Sequence, residues 1–247
     1  MKNQKKIISI VLCVMLGITG CSNGVSQKEY DQVVEERDKY KELYEAVTQS
    51  NVSDQEDTVV TTQNEDIDYV SQLDITEYSY VNSIKNTIYC MVIKNNSDKT
   101  LKFSVNITAN DQEGNLVGAQ TMEEYAVESG YEVLMTTSFD GDKAEEFVYN
   151  LDAEVDEYYS PVLSDLDVKI TKADKKVIVT CKNTGNESAK FVKASALFFN
   201  KEGELVYSNE TYCVANNSSL EAGKTISKEI DAFREFHDVK IYMTGRR

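Results

Sequence analysis

The chain has 247 residues, 42 acids against 26 Lys and Arg, and a net charge of −16. That balance excludes a surface built for DNA or RNA phosphates, which needs clustered Lys and Arg, and it disfavours lying flat on anionic lipid. Hydrophobic residues make up 41%, enough for packed cores in one or two domains.

The first segment is Met1-Lys2-Asn3-Gln4-Lys5-Lys6, and residues 7–16 are apolar apart from Ser9. Small residues follow, with Gly17 and Gly20 before Cys21. A basic start, about ten apolar residues and a small-residue exit predict a secretory signal peptide over 1–20. The run is too short to span a bilayer, which takes about twenty apolar residues. Ile18-Thr19-Gly20-Cys21 resembles the lipobox of bacterial lipoproteins. That resemblance implies cleavage just before Cys21 and diacylglycerol on its thiol. It also implies a lipid-anchored protein on the extracytoplasmic face of a cell membrane, as in Gram-positive bacteria. Two or more acyl chains hold a protein stably, where one does not. An ordinary secretory signal with an incidental Cys is the competing reading. Loss of Lys2, Lys5 and Lys6 with the signal takes the net charge from −16 to about −19.

After the anchor, Tyr30, Val33, Tyr40, Tyr44 and Val47 recur at alternating steps of three and four, with Arg37 in the remaining seam position. This spacing predicts a short coiled-coil-like helical stalk within 21–49. Ser26 and Glu29 have the spacing of a capping box at its start. The stretch 50–66 is polar and aperiodic and predicts a disordered linker.

From Ile67 onward the sequence is duplicated. Val92-Ile93-Lys94-Asn95-Asn96 matches Thr180-Cys181-Lys182-Asn183-Thr184, and Asp111-Gln112-Glu113-Gly114-Asn115-Leu116-Val117 matches Asn200-Lys201-Glu202-Gly203-Glu204-Leu205-Val206. Glu128-Ser129-Gly130 then matches Glu221-Ala222-Gly223, the offset having drifted from 88 to 93 as loop insertions would make it. Repeats of this length are domains rather than solenoid units.

Each copy alternates apolar and polar residues in short runs. The predicted strands are 75–81, 88–94, 101–109, 116–125, 132–138 and 146–155 in the first copy. In the second they are 167–172, 176–182, 191–199, 205–214, 225–230 and 239–244. Such spacing with regular turn signals predicts β-sandwiches. Tyr89, Met91 and Ile93 should face one core, with Val177, Val179 and Cys181 as their counterparts, and Cys90 on the opposite face. Asn95 and Asn183 end their strands, where an Asn side chain caps a turn. Gly114 and Gly203 supply the positive φ of a hairpin.

A strand ending in Lys-Asn, a long strand, then Asp/Asn-x-x-Gly-x-Leu-Val and a later Gly resemble the FxLYD-type immunoglobulin-like module of Gram-positive lipoproteins and surface proteins. The module's namesake stretch falls at 107–111 and 196–200. The resemblance implies two tandem immunoglobulin-like β-sandwich domains, 67–157 and 163–247. It implies extracytoplasmic modules and transfers no catalytic residue.

The chemistry-bearing residues are few. His237 is the only histidine, and no nucleophile or orienting carboxylate is marked beside it, as a triad requires. Asp140, Asp142, Glu145 and Glu146 do not have the spacing of a calcium-binding loop. Asp152, Glu154, Asp156 and Glu157 at the junction of the copies are the better metal candidates, and loop acids are the expected reading of both groups. Tyr158 and Tyr159 belong to a short connection, packed between the copies or facing a ligand. Cys90, Cys181 and Cys213 are an odd count after Cys21, so at least one thiol is left over. Cys181 and Cys213 either bridge or stay as buried thiols.

These features predict no enzyme, no cofactor, no metal and no catalytic residue, with Cys21 as the lipid-attachment site. The expected function is a membrane-anchored surface binding or spacer module facing an envelope or extracellular protein or polymer. A solute-capturing lipoprotein serving a transporter, or a structural accessory of an envelope complex, is the alternative.

Overall fold

The computed structural model describes residues 67–247 except 215–217. The signal peptide, Cys21, the stalk and the linker lie outside the described residues. What is described is mainly β, with two single turns of 3-10 helix at Val70–Gln72 and Leu163–Asp165. Among the described residues no helix is long and apolar enough to cross a membrane.

The first half contains β1 (Leu73–Val81), β2 (Thr87–Asn95), β3 (Leu101–Asn110), β4 (Leu116–Val127), β5 (Glu132–Phe139) and β6 (Glu146–Val155). The second contains β7 (Leu166–Ala173), β8 (Lys176–Asn183), β9 (Ala189–Phe199), β10 (Leu205–Tyr212), β11 (Ser219–Leu220), β12 (Thr225–Asp231) and β13 (Asp238–Arg246). Every strand expected from the alternation forms. The predicted strand 205–214 stops at Tyr212, and its partner strand β9 picks up the separate β11 instead. In the first half β4 runs unbroken to Val127, with a register shift that absorbs the irregularity. The difference is where the copies' offset grows by four residues, between Leu205 and Leu220.

All pairings are antiparallel, in the orders β1-β2-β5, β4-β3-β6, β7-β8-β12 and β10-β9-β13 with β11 on the β10 side of β9. The connectivity is therefore the same in both halves. Sheets β1-β2-β5 and β4-β3-β6 enclose one apolar cluster, built from Tyr89, Met91 and Ile93 against Phe103, Val105 and Ile107. The other two sheets enclose a second, with Val177, Val179 and Cys181 against Val192, Ala194 and Phe198. The inward register is the expected one, since side chains alternate across a strand.

The opposite face of β2 is not solvated. Cys90, Val92 and Leu134 meet Leu197, Phe199 and Tyr242 in a third buried cluster. The two halves therefore share a seam in which the faces turned away from each core pack on one another. Both Cys90 and Leu197 are 0% exposed. The described residues fall in a single compact unit.

Turn chemistry is repeated as well. Asp111 accepts from Gly114 N–H and Asn200 from Gly203 N–H through their main-chain carbonyls, at 2.9 and 3.2 Å. Gly114 and Gly203 hold φ of 81° and 83°, the left-handed region that a side chain disfavours.

Candidate functional site

The seam carries charge as well as apolar surface. Arg246 at the end of β13 places its guanidinium over the rings of Tyr159, Phe191 and Tyr125, at 4.2, 4.7 and 4.8 Å from their centroids. One ring comes from β4, one from the connection between the halves and one from β9, so the cation ties three segments together. Beside it, Lys193 on β9 reaches Glu210 at 3.2 Å and Glu124 at 3.9 Å. Burial pushes the Glu124 carboxyl up, and Lys193 opposes that rise. Tyr80 and Ser208 link their hydroxyls across the seam at 3.2 Å, and Ser208 N–H donates to the Tyr80 oxygen at 3.0 Å.

Each end of the seam opens as a groove. One, of about 520 Å³, is lined by Tyr131, Leu166, Val168, Ile170, Ile241 and Met243. The other, of about 450 Å³, lies between Ile84 and Ile88 of the first half and Tyr207, Asn209 and Glu210 of the second, with Tyr80 at its floor. Both volumes fall in the range of small-ligand and side-chain pockets.

Two exposed apolar side chains lie near the second groove, Ile84 in its lining and Phe233 against the ring of Tyr207. Ile84, in the turn between β1 and β2, is 73% exposed, and Phe233, in the loop between β12 and β13, is 71% exposed. Phe233 stands edge-on to Tyr207 at 5.8 Å, and Tyr207 lies 6.1 Å from Tyr80, so a line of rings crosses the seam. Arg234 lies over the same Tyr207 ring at 5.7 Å. Several polar groups of the groove have partners within the protein. Asn209 donates to Asp231 O and accepts from Glu210 N–H, both at 2.9 Å. Asn82 accepts from Ile84 and Asn86 N–H. Glu210 is held by Lys193 and by the Ser195 hydroxyl.

Among the described residues, the non-glycine residues at positive φ are Lys85, Ala126, Lys175, Phe191 and Phe233. Lys85 occupies the turn between β1 and β2, and Lys175 the turn between β7 and β8. Ala126 N–H is fixed by the Asp156 carboxylate at 2.9 Å, and the Phe191 ring packs under Arg246. Phe233, at φ 55°, lies outside a strand-to-strand hairpin, and its ring faces solvent. A bulky residue in the left-handed region costs about 1–2 kcal/mol.

The sequence-predicted candidates disperse. His237 is exposed; its main-chain N–H donates to Phe199 O at 2.7 Å and its carbonyl accepts from Lys172 at 3.1 Å. Asp142 pairs with Lys85 at 3.7 Å, while Gly141 O accepts from both Thr87 N–H and the Thr87 hydroxyl. That loop clamps the β1–β2 turn. Asp156 is buried and accepts from Ala126, Tyr158 and Tyr159 N–H, which commits it to the backbone of the junction. Glu154 pairs with Lys102 at 2.9 Å on the outer face. Among the described residues no three His, Cys, Asp or Glu converge as a metal site. Tyr159 packs into the seam and Tyr158 is 84% exposed. Cys90, Cys181 and Cys213 are free and buried, with Cys181 and Cys213 in one core.

Of the seam, the sequence reading placed only the tyrosines of the connection between the copies, and it missed the apolar cluster and the grooves. The available signal was in β2 and β9, whose runs Ile88-Tyr89-Cys90-Met91-Val92-Ile93 and Ala194-Ser195-Ala196-Leu197-Phe198-Phe199 are apolar on both faces. Strands covered on both sides read this way.

No protein-family profile matches the chain, and no curated protein matches it. Among solved structures it is similar to a transglutaminase of red sea bream, with 8% identity and a TM-score of 0.26 over 70% of this chain and 29% of that one. It is also similar to a glycosyl hydrolase family 2 member from Bacteroides cellulosilyticus, with 13% identity and a TM-score of 0.17 over 60% of this chain and 24% of that one. The chain thus spans under a third of the length of either, and neither likeness carries an argument about activity.

Proposed function

We infer that this chain is an extracytoplasmic lipoprotein, anchored through lipid on Cys21, whose two immunoglobulin-like sandwiches of FxLYD type form one rigid, non-catalytic binding module. The observation that carries the binding role is the groove between Ile84 of one half and Tyr207 of the other. It exposes Ile84 to solvent while Asn82, Asn209, Glu210 and the Tyr80 hydroxyl are held by partners within the protein, an arrangement suited to holding a partner rather than to moving protons. The seam supports the rigid part of the reading, because the third apolar cluster and the Arg246 cage fix the two halves against each other. The lipobox-like Ile18-Thr19-Gly20-Cys21 supports the anchor.

Replacing Cys21 by Ser and fractionating cells tests the anchor. The expected result is release of the variant into the medium or arrest of the precursor. Recovery of the variant with the membrane at the parent's level contradicts the reading.

A further inference from the structure

We propose that the groove along β13 takes an extended segment of a partner protein, which joins residues 241–245 as an antiparallel strand and carries apolar side chains at alternate positions. This site is separate from the groove at Ile84 and does not depend on it. The backbone supplies the first argument. Among the described strands β13 pairs only with β9. On its other side the chain starts a partner and abandons it. Pro161 bridges Arg246 in the antiparallel sense, and Arg247 N–H donates to Ser160 O at 3.0 Å. Pro161 has no N–H to continue a ladder, and Leu163–Asp165 turns away as 3-10 helix. Backbone groups of alternate residues in a strand point the same way. The N–H and C=O of Ile241 and Met243 therefore share the side of Arg247 N–H, away from β9. The register shift near Arg246 keeps this phase, because the extra residue lies on β9 between Lys190 and Lys193. A row of unpaired N–H and C=O groups is matched by another polypeptide strand, and poorly by a sugar or a lipid.

The side chains supply the second. The run Ile241-Tyr242-Met243-Thr244-Gly245 holds no charge and no Pro, the devices that keep an edge strand from pairing. Leu166, Val168 and Ile170, from one face of β7, line the groove with Ile241 and Met243. Incoming residues opposite Ile241 and Met243 share their face of the sheet and meet this apolar wall. The residue between them shares the face of Tyr242, which packs toward the first half. The first half guards the equivalent edge. Leu73 pairs with Asn95 as Leu166 pairs with Asn183, so Glu77 stands where Ile170 does. Ile107 pairs with Tyr149 as Ala196 pairs with Ile241, so Tyr149 stands where Ile241 does. Glu77 puts a charge on the inward face, held by the Tyr89 hydroxyl at 2.6 Å, and such a charge opposes strand addition. The second half has the exposed Ile170 in its place.

The test pans a displayed library of random dodecapeptides against the full chain in detergent micelles and follows the binders by amide hydrogen exchange. Selected peptides should carry apolar residues at alternate positions. The amides of Ile241 and Met243 should exchange freely in the chain alone and slow by about tenfold or more with peptide bound. N-methylation of one alternate set of peptide amides should abolish binding, and of the other set spare it. Ile170→Asp should weaken binding about tenfold or more while the melting temperature stays at the parent's. Absence of enrichment overturns the proposal, as does affinity that survives both N-methylated sets. Protection of Ile241 and Met243 in the chain alone overturns it too, because the edge is then already covered, by a second copy if the protection grows with protein concentration. None of these outcomes bears on the groove at Ile84.

Discussion

Asn95 and Asn183 make the same hydrogen bonds at equivalent points of the two halves. Each is 0% exposed. The Asn95 amide donates to Lys99 O and Val127 O, and its oxygen accepts from Ser97 N–H. The Asn183 amide donates to Glu187 O and Leu220 O, and its oxygen accepts from Gly185 N–H. The backbones match as well, through Tyr131 and Gly130 in one half and Lys224 and Gly223 in the other. Buried amides satisfied in this way fix where the loops leave the sheets. Replacing either Asn by Ala strands two carbonyls and an N–H. Each change should lower unfolding free energy by about 2–4 kcal/mol, measured by urea titration, whereas Asn150→Ala on the exposed face should stay within about 0.5 kcal/mol.

Arg246 should hold the seam. Arg246→Leu removes the cation from the rings of Tyr125, Tyr159 and Phe191. The expected loss is about 1–3 kcal/mol. Because Cys90 lies in the seam and Cys181 and Cys213 in a core, thiol labelling under native conditions separates the two. The variant should label faster at Cys90 and unchanged at the other two, as resolved by peptide mass spectrometry.

Two glycines are fixed by contact rather than by φ. A Cβ on Gly185 would lie 2.6 Å from the Asp165 Cγ, and one on Gly245 would lie 2.9 Å from Val162 Cγ2 and 3.3 Å from Val192 Cγ2. Asp165 is tied to Arg247 by an ion pair, and its carbonyl accepts from Thr184, so it cannot swing aside cheaply. Gly185→Ala and Gly245→Ala should each destabilise by about 1–3 kcal/mol, read from thermal unfolding.

Much of this was legible in the sequence. The duplication placed Asn95 and Asn183 correctly at strand ends, and Gly114 and Gly203 in hairpins, because turn chemistry is local. The inward register of Tyr89, Met91 and Ile93 followed from simple alternation. The apolar cluster of the seam was not read, although Cys90 was correctly assigned to the face away from the core. What covers that face depends on β9 and β13, more than a hundred residues away, and alternation within β2 says nothing about them. Phe233 was equally silent, since a left-handed φ at a non-glycine residue leaves no mark in sequence. Asp156, expected as a loop acid at the junction, has its oxygens taken by the N–H groups of Ala126, Tyr158 and Tyr159, a role that its sequence neighbours do not reveal.

Buried thiols give the protein an alkaline limit. Burial pushes Cys181 up to about 12, with Cys213 adding to the rise, and Cys90 up to about 11. In the unfolded chain these thiols ionise from about pH 9. Above that pH the unfolded state gives up protons that the folded state keeps, so stability falls as pH rises from 9 toward 12. Burial also pushes up the phenols of Tyr89 and Tyr242, which steepens the fall above pH 10. The urea midpoint should drop across this window, and Cys181→Ala should flatten the first part of the drop.

The anchored display of this module is tested most directly by the intact mass and N-terminal peptide of the protein extracted from its native membrane. The account predicts a chain that begins at Cys21 and carries diacylglycerol on that thiol. A first residue other than Cys21, or Cys21 recovered without lipid, would contradict it.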